Sequence, residues 1–195
     1  MAATADKAKR ALRAEIRARR RSLSSTKAAL AGEGLRRNLQ TLVTARGAQS
    51  VSCYLSTPTE PSTRPFVTWA LAHGIRVLFP ISRDDGLLDW TAGEQGGEAT
   101  GLWGISEPAG ERLGPRAIND VDLILVPASA VDTQGTRLGW GRGYFDKTLG
   151  SLEKRPPVYA VVFDNEVLPD VPKEAHDQPV NGVVTPSRIL DFSCD

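Results

Sequence analysis

Cysteine and histidine are scarce in this 195-residue chain. Cys53 and Cys194 belong to no CxxC pair, and His73 and His176 are the only histidines. A disulfide framework, a structural zinc site and a catalytic zinc built on several histidines are therefore not expected. No apolar run approaches the roughly eighteen residues of a membrane span, and the N-terminus lacks the apolar core and small-residue cleavage site of a secretory signal. These absences predict a soluble, cytoplasmic protein. With 18 Gly and 13 Pro in 195 residues and no repeat, collagen-like, coiled-coil and wholly disordered classes are excluded as well.

What the chain does have is a hidden charge asymmetry. The net charge is only +1, yet residues 1–46 hold twelve Lys and Arg against three Asp and Glu, while residues 47–195 hold twelve against twenty. A basic segment on an acidic body admits a nucleic-acid arm, a targeting segment, a membrane-surface helix or a helix that binds a phosphorylated ligand. Asp6 and Glu15 argue against a mitochondrial presequence.

Residues 6–21 lack Gly and Pro, and Ala8, Leu12, Ile16 and Leu23 form an apolar stripe at near-helical spacing. Lys9, Arg13, Arg17 and Arg20 fall on a neighbouring face, where the ordinary expectation is solvation. Ser24 or Ser25 can cap a second helix carrying Leu30, Leu35, Leu39 and Leu42. Beyond Gly47 the pattern becomes strand (51–55), helix (65–73), strand (76–79), which implies parallel strands joined by a crossover. VDLILVP (121–127) reads as a central strand buried on both faces. Residues 158–163 and 183–185 are further strands, and 87–107 reads as hairpin or loop. The expected architecture is a single α/β domain over residues 1–195 with five or six strands.

In open α/β sheets ligands sit beyond the carboxyl ends of the strands, so the loops there matter most. After the central strand, Gly139, Gly141 and Gly143 alternate, Arg137 and Arg142 interleave with them, and a short helix starts near Tyr144. Glycines let backbone N–H groups wrap a phosphate, and arginines add charged donors. The stretch is neither a Walker A loop nor a GxGxxG fingerprint, since position 144 is Tyr. Spacing alone leaves a phosphate cradle and an ordinary glycine-rich turn both open. Asp146 can hold Mg²⁺ against phosphates or be a plain surface carboxylate. Glu60 follows the first strand and can accept from a heterocycle N–H. Asp177 and Asn181 offer oxygen ligands, and Trp103 can pack on a flat ring.

The order of these segments is informative. KAKRALR, YLSTPTE, GLWGISEP, DLILVP, GTRLGWGRGYFD and HDQPVNGVVTP run nearly the whole length of the chain, and in that order the sequence resembles the 5-formyltetrahydrofolate cyclo-ligase (methenyltetrahydrofolate synthetase) family. The resemblance implies a three-layer α/β/α sandwich with a mostly parallel sheet, of the sugar-phosphate isomerase and CoA-transferase type. It implies ATP- and Mg²⁺-dependent closure of 5-formyltetrahydrofolate to 5,10-methenyltetrahydrofolate through a phosphorylated formyl group attacked by N10. By that resemblance Lys9, Arg13, Arg137, Gly139, Gly141, Arg142, Gly143 and Phe145 contact ATP. Leu55, Glu60, Trp103, Trp140 and Tyr144 contact the folate, and Asp146 and Asn181 hold the metal. Arg137, Arg142 and Tyr144 are the residues closest to the chemistry. Asn181 stands where many relatives have Asp, and Phe145 where Tyr is common. The expected partners are these small molecules alone, with no nucleic acid or membrane, acting on a monomer. Arg19 to Arg21 are left as a solvated face. The rival expectations are a member that binds folate and nucleotide without turnover, and a nucleic-acid-binding protein using the basic helix.

Overall fold

The apolar run after Asp122 lies at the centre of the fold, as its composition requires. Successive side chains of a strand point to opposite faces, and here Leu123 and Leu125 enter one core while Ile124 and Val126 enter another. All four are essentially inaccessible to solvent.

The computed structural model describes residues 2–93, 98–100, 106–108, 110–174 and 177–192. In chain order it begins with α1 (Ala2–Arg21), α2 (Ser25–Ala45), β1 (Ser50–Ser52), α3 (Arg64–Ala72), β2 (Arg76–Ser82) and β3 (Leu88–Ala92). Three short strands follow, β4 (Glu98–Thr100), β5 (Ser106–Pro108) and β6 (Arg112–Leu113), and then the central β7 (Leu123–Pro127). The remainder is β8 (Ala130–Asp132), β9 (Arg137–Leu138), α4 (Tyr144–Gly150), β10 (Val158–Val161), β11 (Val167–Leu168), β12 (Gly182–Val184) and β13 (Ile189–Asp191).

The main sheet has eight strands in the order β13-β12-β10-β7-β1-β2-β3-β6. Its five middle strands are parallel, and β13, β3 and β6 add antiparallel edges. On one face α2 and α3 supply Leu35, Leu39, Leu42, Phe66 and Ala70. On the other, Leu149 of α4 and Ile118 of a 3-10 turn close the second core. Three layers result, with the mostly parallel sheet in the middle. The parallel strands are the five expected from sequence. The antiparallel edges and two small sheets raise the number well beyond five or six.

Ser24 caps α2, its side-chain oxygen accepting from the Lys27 N–H at 3.4 Å. Leu30 does not belong to the buried face of α2; it is 70% exposed. Segment 88–92, left open between hairpin and loop, is a strand paired antiparallel to β2. Arg137 and Leu138 are likewise strand rather than loop, since β9 pairs with β8 in a sheet completed by β11. This small sheet carries α1. Ile16 and Leu12 of the helix pack with Ala130, Leu138, Trp140 and Val171 in a third apolar cluster. No described helix is long and apolar enough to cross a membrane.

Candidate functional site at the carboxyl ends of the parallel strands

A cavity of about 170 Å³ opens where β1, β2 and β7 end, bounded there by Tyr54, Leu55, Pro80, Ser82 and Pro127. Its other wall runs from β9 into α4: Arg137, Gly139, Trp140, Arg142, Gly143, Tyr144, Phe145 and Asp146. Glu60 also lines it. Ten residues singled out from sequence therefore share one cavity: Leu55, Glu60 and the eight of the glycine-arginine stretch. Trp103 lies outside the described residues.

Local sequence explains the shape of the second wall. Asp132 accepts from the N–H groups of Gln134 and Thr136 at 2.9 and 2.8 Å, and Gly135 takes φ +82°, so the chain turns back from β8 into β9. It then bends through Gly141, φ +96°, and Gly143, φ +73°, before α4 begins. Left-handed backbone of this kind suits glycine and strains other residues.

Arg137 is 3% exposed and donates to Asp146 Oδ1 at 2.6 Å. The Gln178 N–H contacts the same oxygen at 3.4 Å. The phenol of Tyr144 donates to the Arg83 carbonyl at 3.0 Å, which fixes its ring against the β2–β3 turn. Glu60 is turned onto its own loop, accepting from the Thr57 N–H and hydroxyl at 2.8 and 3.0 Å. Arg142 is exposed at the rim.

On the basic helix Lys9, Arg13 and Arg20 are covered rather than solvated, while Arg17 is exposed. Lys9 is 4% exposed and donates to Glu174 and Asp177 at 2.8 and 2.7 Å. Burial acts to lower its pKa, but hydrogen bonds and charge from Asp177 and Glu174 together outweigh burial and leave it raised. Arg13 donates to the Gly139 carbonyl at 2.8 Å, and a Cβ at Gly141 would sit 3.4 Å from the Arg13 guanidinium. Arg13 thus stands behind the glycine loop and Lys9 against the 174–177 segment, and neither is on the cavity wall. Arg20, expected in solvent with Arg19 and Arg21, is instead 5% exposed and paired with Glu166 at 2.7 Å. Arg21 is exposed as expected.

Asn181 is not among the residues lining the cavity. It sits at the amino ends of β10 and β12, where its side-chain oxygen accepts from the Val158 N–H at 2.8 Å and its own N–H donates to the Val158 carbonyl. The carboxylate linked to Asp146 through the adjoining Gln178 is Asp177. Among the described residues no three His, Cys, Asp or Glu side chains gather as a metal cluster.

Two contributors were missed by sequence reasoning. Tyr54 lines the cavity with its hydroxyl buried and without a hydrogen-bond partner, and burial, reinforced by Glu60, pushes its pKa well up. Glu174 completes the Lys9 pair. A lone Tyr at a strand end and a Glu in a polar loop give no periodic signal.

A three-layer α/β protein with an apolar cavity beside an arginine-glycine loop has the form of a small-molecule, phosphate-handling enzyme. Comparison places it within that class: the chain belongs to the 5-formyltetrahydrofolate cyclo-ligase family, whose profile matches residues 5–186. It is 37% identical over 145 residues to the 5-formyltetrahydrofolate cyclo-ligase of Mycolicibacterium smegmatis, covering 72% of this chain and 75% of that protein. The cyclo-ligase of Escherichia coli K12 is 28% identical over 182 residues, covering 91% of this chain and all of that one. The solution structure of Aquifex aeolicus 5,10-methenyltetrahydrofolate synthetase superposes with a TM-score of 0.80 at 27% identity, over 96% of this chain and 94% of that one.

Proposed function

We propose that this chain catalyses the ATP-dependent cyclisation of 5-formyltetrahydrofolate to 5,10-methenyltetrahydrofolate, releasing ADP and phosphate. The observation that carries the reading is that one cavity is lined both by apolar and aromatic side chains, among them Leu55, Trp140, Tyr144 and Phe145, and by Arg137, Gly139, Arg142 and Gly143. The flat apolar groups suit a pteridine, and the arginines and glycine backbone suit a triphosphate.

A formyl oxygen is a poor leaving group, so it must become phosphate before the ring can close. In this mechanism that oxygen forms a bond to the γ-phosphorus as the bond to ADP breaks. The N10 lone pair then adds to the formyl carbon, N10 loses its proton, and the C–O bond breaks to release phosphate. The protein's part is to orient the reactants and offset charge, the usual source of rate in phosphoryl transfer. Arg142 at the rim and the backbone of the glycine loop bind phosphates. Arg13, hydrogen-bonded to Gly139, keeps the loop in shape, and Lys9 holds the Glu174–Asp177 segment. Leu55, Trp140 and Tyr144 hold the folate, and Glu60 accepts from it once released by Thr57.

Magnesium is usually held by one or two carboxylates together with substrate phosphates rather than by an all-protein cage. The donor set fits that mode: Asp146 lines the cavity and Asp177 adjoins it through Gln178. Held by these carboxylates, Mg²⁺ would offset phosphate charge, and Asn181 serves the sheet instead. The basic helix spends Lys9, Arg13 and Arg20 on contacts within the chain, so this reading calls on neither nucleic acid nor membrane.

The test is direct. Purified protein with 5-formyltetrahydrofolate, ATP and Mg²⁺ is expected to generate the methenyl absorbance, and omission of ATP to abolish it. Absence of any ATP-dependent absorbance change overturns the reading.

A further inference from the structure

Arg20 and Glu166 are each 2% exposed in their side chains and form the most enclosed ion pair in the molecule's described part. The fork is bidentate: Nε donates to Glu166 Oε1 and Nη2 to Oε2, both at 2.7 Å, and Nη2 also donates to the Ala128 carbonyl at 3.0 Å. Glu166 is itself set by the Phe163 N–H, which donates to Oε2 at 2.8 Å. Burying two charges is costly, and well-packed apolar residues would serve stability as well or better. Such a pair therefore invites a reason other than stability.

The geometry supplies one. The Arg20 guanidinium lies 4.9 Å from the centre of the Trp140 ring and 5.4 Å from that of Phe163, and the Arg17 guanidinium lies 5.2 Å from Trp140. Trp140 is a wall of the cavity. Its indole nitrogen is buried without a hydrogen-bond partner, so no polar bond of its own fixes the ring's rotation. What grips it is the pair of guanidiniums over the ring, the buried and fixed Arg20 and the exposed Arg17, together with the apolar contacts of the Ile16 cluster. Ala128 follows β7 and Glu166 follows β10, so Arg20 refers the ring to the ends of two strands of the main sheet.

We propose that Arg20, oriented by Glu166, is a positioning residue that sets the Trp140 ring in the cavity wall and thereby tunes binding of the folate. The statement rests on the cyclo-ligase reading only for the identity of the ligand. Lysine cannot replace arginine here, since it lacks both the planar fork and the stacking face.

Two variants test this. Arg20→Met with Glu166→Leu removes both charges together and keeps apolar bulk, which avoids an unpaired buried charge. Arg20→Lys keeps the charge and loses the fork. Each is compared with wild type in two ways. In steady-state cyclisation, both are expected to raise KM for 5-formyltetrahydrofolate about tenfold while kcat changes less than about threefold. A folded double variant with wild-type KM for folate, or with a fall in kcat and no change in KM, overturns the proposal. Independently of turnover, the Trp140 component of fluorescence is isolated by subtracting the same protein carrying Trp140→Phe, and acrylamide quenching of that component is measured. Quenching at least about twofold greater than in wild type is expected in either variant, as the ring loses its backing. Unchanged quenching in both overturns the proposal even if the protein proves not to cyclise folate, whereas altered quenching with no turnover in wild type overturns only the cyclo-ligase reading.

Discussion

At the scale of the residue, the metal-side assignment turns on two neighbours in sequence with different surroundings. Asp177 accepts from Lys9 and from the Glu174 N–H and stands beside Gln178, whose N–H contacts Asp146. Asn181 accepts from the Val158 N–H at the far ends of β10 and β12. Asp177→Asn is therefore expected to raise the Mg²⁺ concentration needed for half-maximal cyclisation several-fold, whereas Asn181→Asp leaves it unchanged. Asn181→Ala instead leaves the Val158 N–H without its acceptor, at a cost of about 1–3 kcal/mol in urea unfolding. A shifted Mg²⁺ requirement in Asn181→Asp, with none in Asp177→Asn, would reverse the assignment. Spacing could not separate the two residues, because both are oxygen donors four positions apart in one polar loop, and only the pairing of β10 with β12 shows which of them the sheet consumes.

At the scale of the element, the parallel core was legible and the edges were not, for a physical reason. A strand covered on both faces must be apolar at every position, as Leu123 to Val126 are. β3 instead contains Asp89, buried yet paired with Arg83 and Arg112 at 3.0 and 2.6 Å, so its sequence looks like loop. β9 has two residues and exists only because β8 lies beside it. The face of α1 carrying Lys9, Arg13 and Arg20 was visible in the spacing, but its covering was not, because Glu166, Glu174 and Asp177 lie 146 to 168 residues from their partners. Elements are also tied at their starts. Asp122, just before β7, accepts from the Ser50 hydroxyl and N–H, each at 2.8 Å, and from the Gln49 N–H at 2.9 Å, which locks β7 to β1. The Ser50 hydroxyl bond, with the two backbone N–H groups, outweighs burial and holds its pKa below the usual carboxylate value of 3.8. A depressed carboxylate stabilises the fold above its unfolded pKa and loses that contribution as pH falls through the folded one. Asp122→Ala is expected to cost about 1 kcal/mol at pH 7, allowing for solvent exposure. The difference from wild type in thermal unfolding should hold down to pH 4 and shrink below it; a gap that widens in acid contradicts the carboxylate's role.

At the scale of the whole molecule, the charge asymmetry becomes a matter of assembly within one chain. The excess of nine positive charges on residues 1–46 faces a body with an excess of eight negative ones, and the structure joins them at three places along α1. Lys9 meets Glu174 and Asp177 near its start, Arg13 meets the Gly139 carbonyl, and Arg20 meets Glu166 near its end, with Ile16 fully buried between the last two. The three are unequal. Arg20 and Ile16 are locked by bidentate bonding and apolar packing, whereas the stretch from Lys9 to Arg13 buries no apolar side chain fully, and its Arg13 abuts the glycine loop proposed to receive phosphates. The helix should therefore open from its N-terminal end and stay hinged at its C-terminal end, since local opening follows the weakest-packed segment. Amide hydrogen exchange on the protein alone is expected to show strong protection from Ile16 to Arg21 and faster exchange around Lys9 to Arg13. Addition of ATP with Mg²⁺ should slow exchange chiefly in that second stretch. Complete exchange of Ile16 to Arg21 before nucleotide is added would mean that α1 docks only on its ligand, and that the internal ion pairs do not suffice to hold it. Protection that rises equally along the whole helix on adding nucleotide would point to the same conclusion, because a helix hinged at Arg20 has little left to gain there.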